Sequence, residues 1–171
     1  MTIFNTETPP DEKDLWRTPG WLFRWLNARF AFDVDLAADR DSAVVGAYYS
    51  EAALQSPWSH TYPKGIGYLN PPYSNIDPWV WKAIEEMRSG FTTVMVMPSP
   101  NGEDRFADVL AHASETIDIV GRVAFIRPNG KEVRGNTRGT SVYIFDQHRI
   151  GAPCQRWWVS RRDVEKKWSA A

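Results

Sequence analysis

Apolar positions along the chain change period repeatedly, from helical spacing to strand spacing and back. In "WRTPGWLFRWLNARF", residues 16–30, Leu22, Trp25, Leu26 and Arg29 share one face, with Phe23 and Phe30 beside it. That spacing predicts an amphipathic helix, capped by Thr18 and opened by Pro19. "FAFDVDLAA" alternates apolar and acidic residues and predicts a short strand ending near Asp35. Residues 39–59 are weakly patterned, and "AVVGAYY" fits a short helix or a short strand equally. "GIGYLN" predicts another strand. Beyond it, Asp77 is placed to cap and Pro78 to start a helix, which Gly90 ends. Val80, Ala83, Ile84 and Met87 form its apolar side, and Lys82, Glu85, Glu86 and Arg88 are expected to face water.

"FTTVMVMP" is a near-continuous apolar run, as in a strand buried on both faces. "EDRFADVLAHA" reads as a helix with Phe106, Val109, Leu110 and Ala113 on one side, and "TIDIV" as a strand. "RVAFI", the turn signal Pro128-Asn129-Gly130 and "TSVYIF" predict antiparallel strands at the C-terminal end of the domain. Strands alternating with helices argue for an α/β fold with a mostly parallel sheet covered on both faces. Residues 1–14, rich in Thr, Pro and acids, are expected to be a flexible arm; 15–150 form the domain, and 151–171 a basic, Trp-containing tail.

Composition narrows this picture. A chain of 171 residues fits one domain with a full core, and its net charge of −1 excludes a general polycation. Nine tryptophans are more than such a core needs, so one or two are candidates for stacking on a flat ligand. Cys154 is the single cysteine, which excludes an internal disulfide and a cysteine-based zinc site. His60, His112 and His148 are scattered without ligand spacing, and no metal is expected. No stretch reaches the roughly 20 apolar residues of a membrane span, and the N-terminus lacks a signal-peptide apolar segment. A soluble cytoplasmic protein is the expectation.

The candidate chemistry is in "YLNPPYSN", residues 68–75, directly after a strand. In α/β sheets ligands collect beyond the C-terminal ends of strands. Residues before proline are kept extended, and proline keeps its carbonyl while losing its N–H. The loop is therefore stiff and rich in acceptors: the Asn70 side-chain oxygen and the carbonyls of Pro71 and Pro72, with the flat ring of Tyr73 beside them. Such a set suits a planar aromatic amine, a poor nucleophile because its lone pair is spread into the ring. Acceptors aimed at its N–H bonds favour a tetrahedral nitrogen and stabilise the positive charge that develops as it attacks.

Asn70-Pro71-Pro72-Tyr73 resembles the catalytic signature of S-adenosylmethionine-dependent amino methyltransferases. Together with "WRTPGWLF", "FDVDLAAD", "VMVMPSP" and "GRVAF…G…N…GTSVYIF" in this order, it resembles the phage-type, Dam-like DNA N6-adenine methyltransferases over about residues 15–146. The resemblance implies a Rossmann-like methyltransferase sheet ending in an antiparallel hairpin, with S-adenosylmethionine as cofactor. It also implies that Asn70 and the Pro71 carbonyl hold the amine of a flipped adenine and that Tyr73 stacks on it. Trp16, Thr18 and Pro19 would lie near the methionine end of the cofactor, and Asp35 beside it where Ala37 and Ala38 allow close approach. One departure stands out: "DLAADRD" has no glycine where many methyltransferases carry a glycine-rich turn. For the ribose hydroxyls Glu51 is the candidate, with Asp39 and Asp41 as alternatives.

Double-stranded DNA would meet the basic segments. Between Gly121 and Arg138 five basic residues face one acid, and between Arg149 and Trp168 six face two. Arg122 and Arg134 suit phosphates, while Asn136 and Arg138 could reach base edges. The alternatives are methylation of an RNA base or a protein glutamine, or a catalytically inactive fold that binds DNA.

Overall fold

The computed structural model describes residues 10–50, 52–100, 104–133 and 138–169. Element order is α1 (Pro10–Asp14), α2 (Gly20–Phe30), β1 (Val34–Asp35), α3 (Trp58–Thr61), β2 (Ile66–Leu69), α4 (Asp77–Arg88), β3 (Thr92–Pro98), α5 (Arg105–His112), β4 (Glu115–Val120), β5 (Thr140–Phe145), β6 (Gln155–Ser160) and α6 (Arg161–Trp168). One six-stranded sheet runs β1-β2-β3-β5-β4-β6. β1, β2 and β3 pair in parallel, as do β4 and β6, whereas β5 runs antiparallel to both of its neighbours.

The sheet divides two apolar layers. Met95, Met97, Tyr143 and Phe145 pack with α4, α5 and the buried Trp58, while Val94, Val96, Val142 and Ile144 pack with α2 and α6. This is the period of two that a strand buried on both faces requires. It explains why β3 reads as a near-continuous apolar run. Gly67 on β2 is needed for contact, since a Cβ there would sit 2.6 Å from Leu36 and 2.8 Å from Phe91. Gly90, at φ +92°, ends α4 as expected.

Several expectations change. Residues 10–14 are not part of a loose arm but form a helical turn. The C-terminal segment is not a tail: β6 pairs with β4 and α6 packs on α2, because Val159 and Val164 complete the layer begun by α2. "RVAFI" does not form a strand of the sheet. Ile126 instead exchanges backbone hydrogen bonds with Arg17 at 2.8 and 2.9 Å, and the antiparallel partner of β5 on that side is β4. The Pro128-Asn129-Gly130 turn is present, closed by Gly130 N–H to the Arg127 carbonyl. "AVVGAYY" is neither helix nor strand beyond a single bridge from Tyr48 to Asp35.

Thr18 does not cap α2. Pro19 occupies the cap position, and the Thr18 hydroxyl is hydrogen-bonded to the Tyr68 phenol. Likewise Ile76, not Asp77, holds the cap position of α4, and Asp77 is its first residue. Glu86 does not face water but is buried, because its carboxylate accepts from the Trp58 and Ser59 N–H groups and pairs with Lys82 at 2.6 Å. It closes the open N–H groups of α3 from the side of α4. Leu110 is exposed, so the apolar face of α5 is Phe106, Val109 and Ala113.

Candidate active site

β1, β2 and β3 end at Asp35, Leu69 and Pro98 on one edge of the sheet, so the residues that follow lie together at that edge. Asn70 directly continues β2. Its Nδ2 donates to the Trp16 carbonyl at 3.0 Å. A carbonyl can only accept, so this bond fixes which way the amide faces. The Asn70 Oδ1 is thereby turned to Tyr73, whose hydroxyl donates to it at 3.1 Å. Pro71 is buried, while Asn70, Pro72 and Tyr73 are half-buried. The Tyr73 ring meets Phe125 edge-on at 5.8 Å, and Trp16 stacks on Phe125 at 6.4 Å. Burial holds the Tyr73 phenol protonated by raising its pKa far above the usual range, so it is available only as a neutral donor.

Two further residues belong to this cluster and escaped the sequence reading. Tyr68 is two positions before Asn70 and therefore on the same side of the strand. Its hydroxyl bonds Thr18, and it is fully buried. Its pKa is raised well above normal by burial, with the Asp35 carboxylate and the Tyr73 phenol adding to the shift. The period of two was the available signal. Asp14 accepts from the Ser74 N–H at 2.8 Å and from the Ser74 hydroxyl, tying α1 to the end of the Asn-Pro-Pro-Tyr loop. No local pattern marks it.

The hydrogen bonding after β1 accounts for the turn at residues 35–41 forming without a glycine. Asp35 Oδ1 accepts from the Ala37 N–H at 3.3 Å, and Oδ2 from the Val44 N–H at 3.1 Å. Ala38 N–H donates to the Tyr49 carbonyl at 3.0 Å. Asp39 Oδ1 accepts from the N–H groups of Asp41 and Ser42 and from the Ser42 hydroxyl, at 2.7–2.8 Å. Two carboxylates thus fold the loop without any residue at positive φ between positions 32 and 50. Desolvation by burial raises the Asp35 pKa to about 6, opposed by the Val44 and Ala37 hydrogen bonds. Asp39 is exposed, and its pKa is lowered chiefly by the Ser42 hydroxyl.

The structure therefore brings Trp16, Thr18, Asn70, Pro71, Pro72 and Tyr73 together. Pro19 is buried at the start of α2 beside them, and Asp35, Ala37 and Ala38 lie one strand away. The Nε1 of Trp16 is buried and has no hydrogen-bond partner among the described residues. Arg122 and Arg138 are exposed on either side of the connection from β4 to β5, at the same sheet edge. Glu51, Arg134 and Asn136 lie outside the described residues. Among the described residues, no three His, Cys, Asp or Glu side chains gather as metal ligands, and no helix is long and apolar enough to cross a membrane.

Known proteins share most of this chain. Residues 5–169 match the family described as DNA N-6-adenine-methyltransferase (Dam). The chain is 32% identical over 173 residues to a DNA N-6-adenine-methyltransferase of Escherichia phage T1, covering 90% of this chain and 71% of that protein. It is 28% identical over 174 residues to a DNA N-6-adenine-methyltransferase of Haemophilus phage HP1, covering 98% and 97%.

Proposed function

The chain belongs to the DNA N-6-adenine-methyltransferase (Dam) family, and from that premise we propose that it methylates the N6 amine of adenine in double-stranded DNA, using S-adenosylmethionine. The observation that supports this site is the pinned amide of Asn70. With Nδ2 held by the Trp16 carbonyl, Oδ1 can only accept, and it already binds a donor, the Tyr73 hydroxyl. A target amine would take that donor's place, with the Pro71 carbonyl as second acceptor. Both acceptors are preorganised by proline and by a long-range hydrogen bond, so little reorganisation is needed as positive charge grows on the nitrogen. No base is required beforehand: as the N–C bond formed, the S–C bond of the methyl donor would break, S-adenosylhomocysteine would leave with that electron pair, and the proton on nitrogen would then be shed to solvent. The Tyr73 ring, freed from Asn70, would stack on the extruded base.

The residues at this sheet edge fit the cofactor. S-adenosylmethionine supplies a sulfonium-borne methyl carbon and carries a carboxylate and an ammonium at its methionine end. Trp16 Nε1 offers the carboxylate an unsatisfied buried donor, and Asp35 offers the ammonium a buried carboxylate with lone pairs to spare. Thr18 and Pro19 would complete that end, and Ala37 and Ala38 leave room beside it. The exposed Asp39 and Asp41 are the described candidates for the ribose hydroxyls. The sheet would serve in the Rossmann-like manner, with ligands beyond its C-terminal strand ends. Arg122 and Arg138 would contact DNA at that edge, in the cytoplasm of the host cell.

Mass spectrometry of DNA from cells expressing the protein tests the reading: N6-methyladenine is expected in DNA, and none in RNA or at protein glutamine. Methyl groups found only in RNA or protein would overturn it.

A further inference from the structure

The segment from Glu12 to Arg17 is laced to the site at four points. Asp14 holds the Ser74 N–H and hydroxyl. The Trp16 carbonyl holds the Asn70 amide. Arg17 exchanges both backbone hydrogen bonds with Ile126, and Glu12 pairs with Arg127 at 3.5 Å. The chain turns sharply between the first two, with Leu15 N–H bound to the Glu12 carbonyl and Trp16 N–H to the Lys13 carbonyl. Asp14 and the Trp16 carbonyl therefore reach the two ends of the Asn-Pro-Pro-Tyr loop from one short piece of chain. Prolines stiffen the loop's φ angles but leave its placement as a rigid body unfixed, because neither can donate a backbone bond.

We propose that residues 12–17 form a clasp and that Asp14 is a positioning residue for methyl transfer. Asp14 fixes the far end of the loop at Ser74 and, by anchoring the turn, holds the Trp16 carbonyl where it orients Asn70. Asp14 touches neither base nor cofactor. It acts through Asn70, whose amide without the clasp is free to turn its NH2 toward the target amine, presenting a donor where an acceptor is needed. This rests on the function proposed above for Asn70, but the clasp itself can be read without substrate.

Three measurements on the full chain test it. Asp14→Ala is expected to lower kcat about 100-fold, the scale of a misplaced reacting group, with KM for DNA within about twofold. Asp14→Asn keeps an oxygen for the Ser74 N–H and can donate to the Ser74 hydroxyl, so it is expected to restore most of kcat. By NMR without substrate, the Asn70 side-chain NH2 should exchange with water about tenfold faster in Asp14→Ala than in the wild type. Should Asp14→Ala not fold, Ser74→Ala, which loses the hydroxyl bond but keeps the backbone N–H to Asp14, is expected to move kcat and Asn70 exchange in the same directions by smaller factors. An unchanged kcat in the folded variant, or unchanged Asn70 exchange, overturns the clasp. A wild type that exchanges slowly yet methylates no DNA overturns the function and leaves the clasp standing.

Discussion

Two loops leave the same edge of the sheet from neighbouring strands, and they are held by opposite means. The loop after β1 is folded by its own carboxylates: Asp35 and Asp39 reach backbone N–H groups two to nine positions away. The loop after β2 is stiffened by two prolines, but its placement depends on Asp14 and Trp16, 54 to 60 positions distant. A self-contained loop transmits damage mainly to itself. A loop hung on remote anchors passes distant changes directly to its acceptor groups. The side expected to hold the cofactor should therefore tolerate change elsewhere in the molecule better than the side expected to hold the base.

Asn70→Ala tests this contrast most severely. It is expected to lower kcat by about 10²–10³, as for loss of one preorganised group, while thermal unfolding stays close to wild type. A folded variant with wild-type kcat would remove the asymmetry altogether. Asp35 addresses the other loop. Its pKa rises on folding to about 6, so the folded state binds the proton more tightly than the unfolded state. Stability from this group is complete below about pH 4 and is lost as pH rises toward 6, on the order of 3 kcal/mol over that interval. Asp35→Asn should lack this slope. Urea unfolding of both proteins from pH 4 to 7.5 would show the wild type losing ground to the variant up to about pH 6 and holding level beyond it.

Smaller effects sharpen the same picture. Tyr73→Phe keeps the ring and releases Asn70 Oδ1 from its internal donor, so KM for DNA is expected to fall roughly two- to tenfold, the worth of one hydrogen bond. Competition binding with unmethylated duplex would detect it. Asp39→Ala removes three hydrogen bonds from an exposed turn and is expected to cost only about 0.5–1 kcal/mol in urea unfolding, with KM for the cofactor rising before kcat changes.

Local pattern revealed much of the fold and the centre of the site. The apolar sides of α2 and α4, the doubly buried β3, the end of β1 at Asp35 and the placement of Asn70 after a strand all follow from period and turn chemistry. What escaped depended on distant partners. Residues 122–126 have strand composition, yet Arg17 takes the hydrogen bonds of Ile126. Glu86 sits on a polar stripe in sequence, yet α3 draws it inside. Asp14 lies in a stretch of acids and prolines with no period, and only Ser74 gives it a role. Tyr68 was accessible in principle, since alternate strand positions share a face with Asn70.

The reversed β5 has a further consequence for how the chain is made. Both of its neighbours, β3 and β4, emerge from the ribosome before residues 140–145 exist. Until then two apolar strands stand with bare inner edges, the kind of surface that recruits other strands. A nascent or truncated chain ending near residue 120 is thus expected to be sticky and dependent on chaperones, and synthesis of one further strand closes both edges at once.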